Sequence, residues 1–382
     1  MKSLKFTIHA VIVAAIAFSS AAAQDNSFRS KARSAFADAI KQYKIPGMVV
    51  AVTRNGEHAF YTTGVASRSG RRPVTPDTLF ELGSISKIFN VTLAALAEQR
   101  GQLSLNDKAA HYLCADACSI GDSLTLMDLA THHSGGLPLQ VPDEIATTDQ
   151  LVGWLKAWHP PQPGARSYSN ISIGLLGHIT AKAMAMSYTA AIQTVLLPTM
   201  GLKNTFIEVP GKARDNYAFG YDRKTDKPIR VTPGVLDAEA YGVKSSARDM
   251  LDLLDIELGR KDVSAQLKAA IERTHEGQFK ATQFTQDMIW EQYPWPVDLE
   301  TMVTGNSNDV IMNPQQVKRI DPPLAPQKDV ILNKTGSTNG FGGYVVLLPA
   351  ENLGIVVLAN RNYPNEARVR ATYALIQSLL SR

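Results

Sequence analysis

Strand-like apolar runs occur near both ends of this chain, while the middle reads as helical patches. That distribution constrains the fold more than any other feature. Near the start, MVVAVTRNGEHAFYTTGVAS holds two such runs on either side of Asn55-Gly56, a strong hairpin signal. Near the end, VILNKTG and YVVLLP are joined by STNGFGG, and GIVVLAN follows after AENL. From about Ser84 to about Lys268, Gly, Pro and Asp turns separate the helical patches. A first helix, SFRSKARSAFADAIKQYKI, places Phe36 and Ile40 on one face and stops at Pro46-Gly47. A last helix, EARVRATYALIQSLLSR, carries Val369, Tyr373, Ile376 and Leu380 at helical spacing. The simplest packing joins the terminal strands into one antiparallel sheet covered by the first and last helices. The expected class is α+β: a discontinuous sheet domain from 24–83 and 269–382, and a mainly helical domain over 84–268 beside it.

With 382 residues, 45% of them apolar, the chain can bury a large core. Its first residues, MKSLKFTIHAVIVAAIAFSSAAAQ, place Lys2 and Lys5 before an apolar run that ends in Ala21-Ala22-Ala23. That order predicts a cleavable export signal over residues 1–23 and a periplasmic product. The run from Phe6 to Phe18 is short for a membrane span, and no other window reaches the roughly 18 apolar residues that one needs. Loss of the two lysines lowers the formal charge from +4 to +2, which implies no polyanionic partner. No basic run with interleaved aromatics points to nucleic acid. The two cysteines, Cys114 and Cys118, lie in HYLCADACSIG. In an oxidising compartment they can close a local disulfide or stay as thiols, and the sequence leaves both open.

Three short elements can carry chemistry. In FELGSISKIFN, Ser84 stands at a helix start, near free backbone N–H groups, with Lys87 one turn on. The helix dipole disfavours an ammonium there, so the lysine can act as a base. In RSYSNISIG, Tyr168 offers a phenol for proton transfer and Asn170 an amide for polar side chains. In NKTGSTNGFGG, Lys334 and Thr335 suit an anionic group, Gly336 allows close approach, and the N–H of Ser337 can face that of Ser84 as an oxyanion hole. Each motif is weak alone: about one S-x-x-K is expected by chance in a chain this long.

Together and in this order, the three are specific. The chain resembles the class C (AmpC-type) serine β-lactamases, with further matches in SGGLPLQVPDEI, VTPGVLDAEAYGVKS and LANRNYPNEARV. The resemblance covers essentially the whole mature chain. It implies a fold like that of serine β-lactamases and penicillin-binding transpeptidases, with the site between the two domains. Ser84 is then the acylated nucleophile, with Lys87 and Tyr168 as the proton-transfer pair; which of the two is the base stays open. Gln140 and Asn170 would hold the acyl side chain of the substrate, and Tyr241 would form an aromatic wall. Lys334 and Thr335, with Asn365 and Arg368, would sit near the substrate carboxylate. The expected activity is hydrolysis of penicillins and cephalosporins by a monomer that uses no cofactor or metal, conferring resistance. Asn339 stands where the family pattern leads one to expect glycine, and the cysteine pair is also a departure.

Other chemistries lack their residues. G-x-S-x-G and S-D-N are absent, as are G-x-G-x-x-G and a phosphate-binding loop. The eight histidines show no H-x-x-x-H or H-x-H spacing, so a zinc site is not expected and His132 and His133 read as structural or surface residues. Two rivals keep the nucleophile: a D-alanyl-D-alanine peptidase or esterase, and a sensor that is acylated without turnover.

Overall fold

The computed structural model describes residues 25–114, 120 and 124–381. The export signal predicted over residues 1–23 lies outside them.

The Asn55-Gly56 hairpin forms as predicted. Both residues have positive φ, 55° and 83°, which the two-residue turn of a twisted hairpin requires. The register Arg54↔Glu57 closes the turn directly. The terminal strands then join in a single antiparallel sheet of ten. Its centre runs Glu291–Pro294, Val330–Ser337, Gly342–Leu348, Leu353–Ala359, Gly47–Arg54, Glu57–Ser67. The strands Gly342–Leu348 and Leu353–Ala359 are buried along their whole length, which explains their unbroken apolar sequences.

Period-two alternation divides those runs between two cores. Met48, Val50, Val346, Leu348, Ile355 and Val357 face one side. There they meet Phe28, Ala32 and Phe36 of the helix at 25–42, and Val369, Leu375 and Ile376 of the helix Asn365–Leu380. Val49, Ala51, Val345, Leu347, Val356 and Leu358 face the other side and merge with the helical half of the molecule. Ile40, Tyr373 and Leu380 lie at the margin of the first core, only partly buried.

The middle of the chain is mainly helical. Its centre is the helix Ser86–Gln99, buried at every position from Ser86 to Ala97 and therefore surrounded by protein. The helices Asn170–Ala183 and Ala265–Thr274 pack against it. The helix Ala265–Thr274 straddles the expected boundary at Lys268, and strands resume at Gly277. Short strands, such as Phe80–Glu81 paired with Lys244–Ser245, tie this half together. Cys114 is disulfide-bonded, and Cys118 is the only other cysteine in the chain; Cys118 lies outside the described residues.

Candidate active site

The sheet and the helical half meet at Ser84. The strand Phe80–Glu81 leads to Gly83, whose φ of +54° makes a sharp turn, and one 3-10 turn, Gly83–Ile85, precedes the helix Ser86–Gln99. Two glycines let this turn press against the K-T-G strand. A Cβ on Gly83 would lie 2.4 Å from the nitrogen of Ser337, and one on Gly336 would lie 2.1 Å from the carbonyl oxygen of Leu82. Any side chain at either position would drive the backbones of Ser84 and Ser337 apart.

Lys87 follows one turn after Ser84 and is fully buried. Its Nζ donates to Ser84 Oγ at 2.9 Å, to Asn170 Oδ1 at 2.8 Å and to the carbonyl of Ala240 at 2.8 Å. These three acceptors use all three N–H bonds of an ammonium. Burial lowers the Lys87 pKa to about 8; nearby Tyr168 opposes the change and Lys334 adds to it. Asn90, one turn further on, anchors the helix by donating to the carbonyls of Ile173 and Glu239, both at 2.9 Å.

Tyr168 lies in the segment before the helix Asn170–Ala183, which Ser169 caps through the N–H of Ser172 at 3.0 Å. The ring of His132 packs on it, with centroids 4.4 Å apart. Lys334 Nζ and Lys87 Nζ stand 5.1 and 5.3 Å from its ring centre. Burial pushes the phenol up, but Lys334, then Lys87, then a hydrogen bond with Ser84 outweigh it and bring its pKa down to about 8. His132 is held well below its ordinary value by burial and by the charges of Arg166, Lys87 and Lys334, so it faces Tyr168 as a neutral ring.

Two depressions, of about 470 and 350 Å³, share Ser84, Gln140, Asn170, Ser337 and Asn362 in their walls. They are the arms of one cleft with the nucleophile at the junction. Thr335, Gly336, Asn365 and the segment around Asn306 line the larger arm. Tyr241, Val231, Thr338 and Asn339 line the smaller. Asn170 Nδ2 donates to Gln140 Oε1 at 3.1 Å, which links the two amides across the cleft floor.

Most of the expected residues therefore converge. Ser84, Lys87, Tyr168, Gln140, Asn170, Lys334, Thr335, Gly336, Ser337, Tyr241 and Asn365 surround one space or its immediate wall. Arg368 departs from expectation. Its side chain is fully buried behind the K-T-G strand and lines neither arm. It donates to the carbonyls of Gly336 (2.8 Å), Gly343 (3.2 Å) and Tyr363, to Ser337 Oγ (2.9 Å) and to Asn362 Oδ1 (2.8 Å). With that many acceptors it binds strand, not solvent-borne substrate. Motif reading missed Asn90 and His132. Asn90 sits three residues after Lys87, on the same helix face, and that spacing was its one signal. His132 had none, because a single histidine shows no pattern.

The family model described as Beta-lactamase matches residues 32–379. A beta-lactamase of Pseudomonas fluorescens is 42% identical over 342 residues, 89% of this chain and 95% of that protein. A class C beta-lactamase of Rhodobacter sphaeroides has a solved structure that is 64% identical, with a TM-score of 0.90, covering 92% of this chain and 99% of that one. A beta-lactamase/D-alanine carboxypeptidase of Pseudomonas syringae superposes with a TM-score of 0.89 at 43% identity, covering 92% and 98%.

Proposed function

Since this chain belongs to the beta-lactamase family, in its class C branch, we propose that it hydrolyses β-lactams through an acyl-enzyme on Ser84. The observation that carries this reading is the contact of Ser84 Oγ with Lys87 Nζ, beside a phenol drawn down to about 8.

Lys87 is taken as the ammonium, which makes Tyr168 the base. An ammonium that spends its three N–H bonds on Ser84, Asn170 and Ala240 has no lone pair for the Ser84 proton. Its charge, after that of Lys334, lowers the pKa of the neighbouring phenol and so favours the phenolate. Tyr168 Oη takes the hydroxyl proton as Ser84 Oγ attacks the lactam carbonyl carbon. The N–H groups of Ser84 and Ser337, held close by Gly83 and Gly336, receive the developing oxyanion. The C–N bond then breaks and the ring nitrogen takes the proton back from Tyr168. Water, giving a proton to the same phenolate, attacks the ester carbonyl carbon; the C–O bond to Ser84 breaks, and Tyr168 passes that proton to Ser84 Oγ. The two groups with pKa values near 8 lie in contact, so they titrate as a pair.

The smaller arm, with Tyr241, Gln140 and Asn170, suits the acyl side chain. The larger arm, with Thr335 and Asn365, suits the ring carboxylate and the leaving-group side. We assign the protein to the periplasm as a monomer after removal of residues 1–23. Among the described residues no helix is long and apolar enough to cross a membrane. A second reading, release of D-alanine from peptides, draws support from the name of the Pseudomonas syringae relative.

Stopped-flow hydrolysis of a chromogenic cephalosporin, with mass spectrometry of quenched samples, tests the proposal. The expected result is sustained turnover with a transient adduct on Ser84. Ser84→Ala should lower turnover by more than about 10⁴-fold with the fold intact. A permanent adduct without turnover would replace hydrolysis by a sensor role, and D-alanine release without lactam turnover would favour the peptidase.

A further inference from the structure

Arg223 sits in the turn between the short strands Gly220–Tyr221 and Pro228–Ile229. No motif singled it out. The hairpin is fixed against the loop that follows the K-T-G strand and against the end of the strand Leu353–Ala359: a Cβ on Gly220 would lie 2.7 Å from Gly340 Cα, and Tyr221 N donates to the carbonyl of Asn360 at 3.0 Å. Among the residues that line the larger arm of the cleft, Arg223 is the one cation and Glu366 the one acid.

The neighbouring carboxylates are already committed. Asp222 Oδ1 accepts from the N–H groups of Lys224 and Thr225 and from the Thr225 hydroxyl. Asp226 pairs with Arg68 and Arg361. Glu366 pairs with Arg370 at 2.8 Å. Arg223 is exposed, with no hydrogen bond or ion pair to any described residue. Its charge is felt by Arg368, whose own acceptors are all uncharged. The larger arm thus presents a free guanidinium in the same depression as Thr335 and Asn365, with a second, buried one whose pKa its charge lowers.

We propose that Arg223 recognises a carboxylate on the leaving-group side of the substrate, filling from the open face of the cleft the role that sequence reading gave to Arg368. The inference deepens the β-lactam reading and rests on it. A planar guanidinium matches a carboxylate in two-point geometry, and the packed hairpin fixes the backbone from which it reaches.

The test compares a cephalosporin with its carboxylate methyl ester. Acylation of the intact protein is followed by mass spectrometry, which needs no turnover. In Arg223→Gln the preference for acid over ester should fall by about ten-fold, with the loss in KM rather than kcat where turnover is measured. Arg223→Lys should keep part of the preference, and high salt should weaken it in the wild type, because the site is exposed. An acid-to-ester ratio equal in Arg223→Gln and wild type overturns the inference. An adduct that forms but never hydrolyses overturns hydrolysis while the ratio still decides the role of Arg223. No adduct with either compound overturns both.

Discussion

The wall of the cleft and its rim solve different problems with the same residue types. In the wall, Lys87 and Lys334 lie buried about 5 Å from the Tyr168 ring; burial has brought Lys87 down to about 8, and the two lysine charges have brought Tyr168 to about 8 against the effect of its own burial. At the rim, Arg223 and Asn365 meet water. Chemistry is set where solvent is excluded, because only there does one charge strongly alter its neighbour. Recognition is set where charges stay accessible to substrate. Arg368 belongs to neither: it is a cation turned inward to hold carbonyl groups of the strand.

The largest test of this contrast is Tyr168→Phe. It keeps the ring packing on His132 and removes the proton acceptor, so kcat/KM should fall by about 10²–10⁴-fold. Near wild-type rates would return the role of base to Lys87. Next comes Lys334→Ala, read as a pH profile. Lys334 is the first of the influences that lower Tyr168, and it also lowers Lys87. Activity needs the phenolate and the ammonium, so it rises as Tyr168 loses its proton and falls as Lys87 does. Without Lys334 both pKa values rise, and both limbs should move to higher pH. A profile displaced to lower pH would break the electrostatic account. The smallest effect is Arg368→Met, which strips donors from several buried acceptors and should cost about 1–3 kcal/mol in urea unfolding. Full stability with a raised KM would return the guanidinium to the substrate.

Much of this was legible in the sequence because it is local. Continuous apolar runs marked the central strands, and Asn55-Gly56 marked the hairpin, which needs their two positive φ values. The catalytic motifs were legible because each pairs residues at short, fixed spacing. Arg368 was misplaced because its role came from resemblance while its helix face went unused. Val369, Thr372 and Ile376 form the buried stripe of that helix, and Arg368 lies four residues before Thr372, on the same side. His132, Asn90 and Arg223 were missed for a simpler reason. Nothing local marks a lone polar residue as buried against a catalytic ring, or as a cation left unneutralised.

The strand Gly47–Arg54 lies between a hairpin partner only a few residues away and Leu353–Ala359, which comes from the far end of the chain. The helix at 25–42 is likewise tied to the last helix, with Lys31 Nζ on the carbonyl of Ser378 at 2.6 Å. A polypeptide released N-terminus first therefore has an open sheet edge and a half-covered core until its last thirty or so residues are free. No shortened product lacking that end can complete the sheet. The same arrangement brings the helix at 25–42 and the last helix side by side, so linking them and opening the chain at an exposed loop should preserve the architecture.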